Sequence, residues 1–177
     1  MIKQIKERIG FRRLNNLQKR RTHVATAINY DAITSIGILF DATSEETVKT
    51  INKIVSLIPS HIKISALGYY NTKEPKEFQI DNQTLLFIGN TDVNWYFKPN
   101  SEKAVNFINT KFDVLMDFSS TEVLSLGFVL CESNAKLIAG CYREESTYDF
   151  MIMPGNNDDK VYLFEQIVHY LKMIKTV

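Results

Sequence analysis

One stretch constrains the fold of this chain more than any other. Ser35, Ile36, Gly37, Ile38, Leu39, Phe40 and Asp41 make an apolar run of strand length that ends in an acid, and Ala42, Thr43, Ser44, Glu45 and Glu46 follow it. A near-continuous apolar strand belongs in a sheet covered on both faces, the habit of parallel sheets. The residues after the turn change period: Val48, Ile51, Val55 and Ile58 recur three or four apart until Pro59 closes the run. Strand, turn and helix in that order open a β-α-β unit. Thr43, with Glu46 three residues on, fits a capping box at the start of the helix.

The alternation continues down the chain. Strands are expected over residues 34–40, 62–70, 84–88, 112–118, 136–142 and 148–153, and helices over 43–58, 101–110, 119–131 and 160–175. Ser101 reads as one helix cap, and Ser119 with Glu122 as a second capping box. Residues 71–82 are polar and read as a loop, with a short strand at 78–80. Only residues 143–147 separate the last two strands, too few for a parallel crossover, so an antiparallel hairpin over 136–153 is predicted at one sheet edge. Pro154, Gly155, Asn156, Asn157, Asp158 and Asp159 read as a turn capping the last helix, whose Val161, Phe164, Val168 and Leu171 line its core side. The expected architecture is a three-layer, Rossmann-like α/β domain over residues 34–177. Its sheet is mostly parallel with a C-terminal antiparallel hairpin, and a basic helix and linker over 1–33 precede it.

Charge is the strongest signal that the fold does not absorb. Residues 1–23 hold Lys3, Lys6, Arg8, Arg12, Arg13, Lys19, Arg20 and Arg21 against Glu7 alone, a net +7; the rest carries thirteen basic and nineteen acidic residues, a net −6. Ile2, Ile5 and Ile9 fall on one side of a helix there and are expected to lie on the domain, with Leu14 and Leu17 continuing in a shifted phase after a break near Gly10. The eight basic side chains are candidates for contact with an anionic or protein partner: nucleic acid, the ribosome or an anionic membrane surface. Few aromatic residues accompany them, which argues against base stacking.

Composition narrows the class. At 177 residues, 45% apolar and 23% charged, the chain is long enough to bury a substantial core and ordinary for a globular protein. No apolar run approaches the roughly 20 residues of a membrane helix, so no transmembrane segment is expected. Charges break up Ile2, Ile5 and Ile9, so no signal peptide is expected either. Cys131 and Cys141 have no metal-ligand spacing and read as reduced thiols of a cytoplasmic protein.

In a doubly wound sheet, ligands bind outside the carboxyl ends of the parallel strands. Those ends here carry Asp41 and Thr43, Asn71 and Thr72, Asn90 to Asp92, and Asp117 with Ser119 and Ser120. Asp41 and Asp117, with Ser119, are the candidate catalytic residues, as an acid pair or a divalent-metal site. The competing reading is that each aspartate satisfies the amides of the turn it begins. A phosphate cradle is disfavoured, because no glycine-rich loop or Walker lysine is present and Glu46 and Glu122 stand at the helix starts. His23, His61 and His169 have no metal-ligand spacing, so no metal and no cofactor are expected. Trp95, Tyr96 and Phe97 are expected to plug the sheet edge or to cover a pocket.

Two resemblances add to this. The basic N-terminal helix, the Ser35–Asp41 strand, the Phe112-Asp113-Val114-Leu115-Met116-Asp117 strand and the closing helix together resemble a bacterial family of unknown function over nearly the whole chain, which implies a fold but no activity. Residues 112–143, with Ala-Lys-Leu-Ile-Ala-Gly-Cys-Tyr-Arg closing them, are similar to part of the N-terminal half of heptosyltransferase-like glycosyltransferases. The alternative reading is a small enzyme with a carboxylate site at Asp41 and Asp117, for which that likeness implies a glycosyltransferase-like fold and a sugar or nucleotide ligand. The residues themselves favour a non-catalytic binding protein whose N-terminal helix meets its partner.

Overall fold

The computed structural model describes residues 1–144, 147–153 and 159–175. Its frame is a six-stranded sheet, β1 (Ser35–Asp41), β2 (Lys63–Tyr69), β3 (Leu85–Ile88), β4 (Val114–Asp117), β5 (Leu137–Cys141) and β6 (Phe150–Ile152), in the order β3-β2-β1-β4-β5-β6. Every pair is parallel. The helices are α1 (Ile2–Arg20), α2 (Glu45–Leu57), α3 (Glu102–Asn109), α4 (Leu124–Glu132) and α5 (Lys160–Met173), with a short 3-10 turn at Tyr30–Ala32.

Alternation along each strand builds a core on both faces. Ile36, Ile38 and Phe40 of β1 join Val48, Ile51 and Ile54 of α2 and Phe164, Ile167 and Leu171 of α5 on one side. Leu39 joins Phe107 of α3 and Leu126, Val129 and Leu130 of α4 on the other. The chain therefore changes face between β1 and β4, the switch point of a Rossmann-like order. A further layer covers α4. Its residues 124–131 are buried on every side, because α1 packs on the surface that faces away from the sheet. A helix that is apolar all round requires such double cover.

Two glycines set how close α1 and α4 come. A Cβ on Gly10 of α1 would stand 2.6 Å from both Leu124 Cδ2 and the Tyr96 carbonyl oxygen, and one on Gly127 of α4 would stand 2.6 Å from Leu14 Cδ2. Gly10 thus does not break the helix, which runs unbroken through it. The seam between the helices is Leu14, Leu124, Phe128 and Cys131, flanked by Phe11, Leu17 and Tyr96. The expected packing of α1 holds for Leu14 and Leu17 and fails for Ile2 and Ile5. Ile2 and Ile5 are exposed, and the face carrying Gly10, Leu14 and Leu17 is the one that packs.

Other expectations are corrected as well. The hairpin over 136–153 does not form: β5 and β6 run parallel, with Ala139 opposite Phe150 and Cys141 opposite Ile152. Ladder bonds extend to the Tyr142 N–H, which reaches the Ile152 carbonyl, and to the Asp149 N–H, which reaches the Ile138 carbonyl, so the chain returns within residues 143–148. Six residues can reach up to about 20 Å, more than the roughly 17 Å of a five-residue strand, so this length is enough for a parallel return. Tyr148 packs over Gly140 on the way. The Ser119–Glu122 box does not cap α4, which begins at Leu124 with Val123 in the cap position. In α2 the cap is Ser44, which accepts the Thr47 N–H, while Thr43 turns back to Asp41. Ser101 stands before α3 without a side-chain capping bond. Residues 78–80 are not a strand; Gln79 there is buried and donates through Nε2 to the Ala42 carbonyl. Asp159 caps α5 by accepting from the N–H of Val161 and Tyr162. The rest of the predicted turn, 154–158, lies outside the described residues.

The segment joining α1 to β1 is tied down along the domain. Arg21 donates to the Thr147 carbonyl, His23 Nε2 stands 2.8 Å from Asp149 Oδ2, the Thr26 N–H reaches the Lys136 carbonyl, and Asn29 donates to the carbonyls of Lys172 and Ile174.

Candidate functional site

The strand-end carboxylates do not form a pair. Asp117 is buried, and its Oδ1 accepts the Ser119 N–H at 2.9 Å while Oδ2 accepts the Tyr148 hydroxyl. Arg143 Nη1 lies 3.7 Å from the same Oδ2, and its other terminal nitrogen donates to the Ser119 carbonyl. Burial, and then the Asp117 charge, push the Tyr148 hydroxyl far above its ordinary value, so it remains a donor. Asp117 thus fastens Arg143 and Tyr148 to the end of β4. Ser119 is buried, and its Oγ has no hydrogen-bond partner among the described residues. Asp41 accepts the Thr43 N–H at 2.9 Å and the Thr43 hydroxyl on the same oxygen, the turn-satisfying role.

Asp41 and Asp117 also open on different spaces. Asp41 and Thr43 from the end of β1, Tyr69 and Asn71 from β2, Phe97 and the start of α4 line a cleft of about 400 Å³, roofed by Glu7 and Phe11 of α1. Asp117, Arg143 and Tyr148 line a separate cavity of about 50 Å³. The larger cleft holds three carboxylates, Glu7, Asp41 and Glu122, and no lysine or arginine. That electrostatic setting opposes a phosphate, in agreement with the absent glycine-rich loop. Among the described residues no group of three His, Cys, Asp or Glu side chains is placed to hold a metal ion. Cys131 is buried in the α1–α4 seam, where burial raises its thiol.

The aromatic loop serves α1. Its turn is held by Asn94, whose Oδ1 accepts the N–H groups of Tyr96 and Lys98, and Phe97 adopts φ 68° inside it. Tyr96 stacks edge-on against Phe128 of α4, Phe97 lines the cleft, and Trp95 remains 53% exposed. Arg13 lies over both outer rings, 4.5 Å from the Tyr96 centroid and 5.8 Å from that of Trp95.

The basic residues of α1 and Arg21 at its C-terminal cap divide accordingly. Arg13 rests on the aromatic loop, and Arg21 turns its half-buried guanidinium to Thr147, where burial lowers its proton affinity despite Asp149 nearby. Lys3 stands 4.0 Å from Glu7, at the limit of an ion pair. Arg8, Arg12, Lys19 and Arg20 are exposed, and no acidic partner pairs with them or with Lys6 among the described residues. Sequence reasoning overlooked Asp113. It is buried at the foot of β4 and accepts from Lys136 Nζ, the Thr34 N–H and hydroxyl, and the Ser35 N–H. Burial alone would raise its carboxyl, but the bonds from Lys136 and Thr34 outweigh it and hold the pKa down at about 2. An acid inside an apolar strand gave no sign of this beyond its being out of place.

The fold and these strand ends define a Rossmann-like α/β protein with a parallel sheet and an N-terminal helix packed on α4. The particular family follows from comparison: the model of a family of unknown function (DUF6913) matches residues 6–174, and the chain belongs to that family. No curated protein and no solved structure matches, so the likeness of residues 112–143 to heptosyltransferase-like enzymes finds no support there.

Proposed function

We propose that the protein is a non-catalytic binding protein whose working surface is the outer face of α1. One observation carries this reading: the inner face of α1 is locked against α4, while Arg8, Arg12, Lys19 and Arg20 project outward with no acidic partner among the described residues. A rigidly mounted row of unpaired cations on a molecule otherwise negative offers one end to anions. The alternative enzyme reading loses its motive, since Asp41 and Asp117 are occupied in their own turns and face separate cavities. The N-terminal segment 1–33 is then the partner-binding unit and the sheet domain its mount.

The test is a binding titration of the full protein against two anionic probes, a single-stranded oligonucleotide and vesicles containing an anionic lipid, over a salt series. At least one probe should bind with affinity falling steeply as salt rises. Changing Arg8, Arg12, Lys19 and Arg20 to Gln should flatten that slope and leave the melting temperature in place, because exposed charges contribute little to stability. Salt-independent binding, or binding of neither probe, overturns the reading.

A further inference from the structure

We infer that the partner of this face is an anionic lipid bilayer, on which the protein docks peripherally through α1 and Trp95; the inference rests on the reading above and deepens it. The face is more than basic. Residues 5, 8, 12, 16 and 19 recur at three- and four-residue spacing along the side of α1 opposite Gly10, Leu14 and Leu17, with Ile2, Ile9 and Arg20 along its edge and Arg13 beyond them toward the aromatic loop. That side carries Ile2 and Ile5 at 72% and 52% exposure beside Arg12, Arg13 and Arg20. Trp95 stands at its flank, half-exposed and held by Arg13. The row spans about 27 Å of helix.

Phosphate recognition in nucleic acids uses cations and hydrogen-bond donors, and exposed isoleucines add nothing to it. A bilayer interface uses all three residue types at once. Isoleucine side chains enter the acyl boundary, a tryptophan ring sits at headgroup depth, and arginines meet anionic headgroups. Charge complementarity also sets the orientation: the acidic residue of α1, Glu7, lies on the cleft side, and the net −6 of the remaining chain is repelled from the same surface. No helix among the described residues is long and apolar enough to cross a membrane, so the contact is one of lying on the surface.

Trp95 is the chain's one tryptophan, so its fluorescence reports this face alone. The experiment titrates the full protein with phosphatidylcholine vesicles, with phosphatidylcholine–phosphatidylglycerol vesicles, and with a single-stranded oligonucleotide. Expected are co-sedimentation with the anionic vesicles only and a blue shift of the Trp95 emission on binding. Arg12→Gln and Arg20→Gln should each weaken the association about fivefold. Ile5→Asn, which removes apolar surface without adding charge, should weaken vesicle binding severalfold and leave its melting curve unchanged. Failure to bind anionic vesicles, or binding without an emission shift and insensitive to Ile5→Asn, overturns the inference. If the oligonucleotide binds while vesicles do not, the bilayer falls and the basic-face reading stands; if neither binds, both fall.

Discussion

Asp113 shows how much one side chain can hold in this fold. It joins the starts of β1, β4 and β5 through Thr34, Ser35 and Lys136. Its carboxyl sits at about 2 against an ordinary 3.8, so the folded chain takes up that proton less readily than the unfolded one. The stability it contributes, about 2 kcal/mol, is complete above about pH 4 and lost as the pH falls through about 2. Asp113→Asn should lower the denaturation midpoint at pH 7, and the gap from the parent protein should close as the titration is carried down toward pH 2. Ser119 makes the opposite case. As a helix cap its loss would cost about 1 kcal/mol. Its buried hydroxyl instead has no hydrogen-bond partner among the described residues, so Ser119→Ala should leave stability unchanged or raise it by up to about 1 kcal/mol in a urea melt.

At the level of elements, the sequence was most legible where burial imposes a period. The run at Ser35–Asp41 and the stripe Val48, Ile51 of α2 carry their partners in their pattern, and both elements lie where expected. The orientation of α1 was not legible. Its two apolar stripes, Ile2-Ile5-Ile9 and Leu14-Leu17, point to different sides of the helix, and the packed side is marked by Gly10 beside the two leucines. The phase shift between them was the available signal. Replacing Leu14 by Ala should cost roughly 2–5 kcal/mol, as for a fully buried leucine, whereas Ile5→Asn should move the thermal midpoint little. Equal effects of the two changes would place Ile5 in the packed face beside Leu14. The caps failed for a related reason. Ser119 and Thr43 follow aspartates that take their N–H groups, and this local competition does not appear in a spacing rule.

Across the whole molecule, a mostly parallel sheet was legible in the alternation of periods, but its strand order β3-β2-β1-β4-β5-β6 was not, and the direction of β6 turned on a difference of a few residues in strand length. The candidate site divided in the same way. Composition revealed the basic segment, while the exposure of Trp95 beside it depends on a turn held by Asn94, which no pattern announces. The α1–α4 seam carries one more consequence, in time. The first helix of the chain waits for the fourth, more than a hundred residues later, before Gly10 and Leu14 have anything to close upon. At about 5–20 residues per second of synthesis, α1 spends roughly 6–20 s beyond its own completion before its partner exists. Throughout that interval its two apolar stripes are bare together, and only its arginines and lysines keep it apart from other nascent chains.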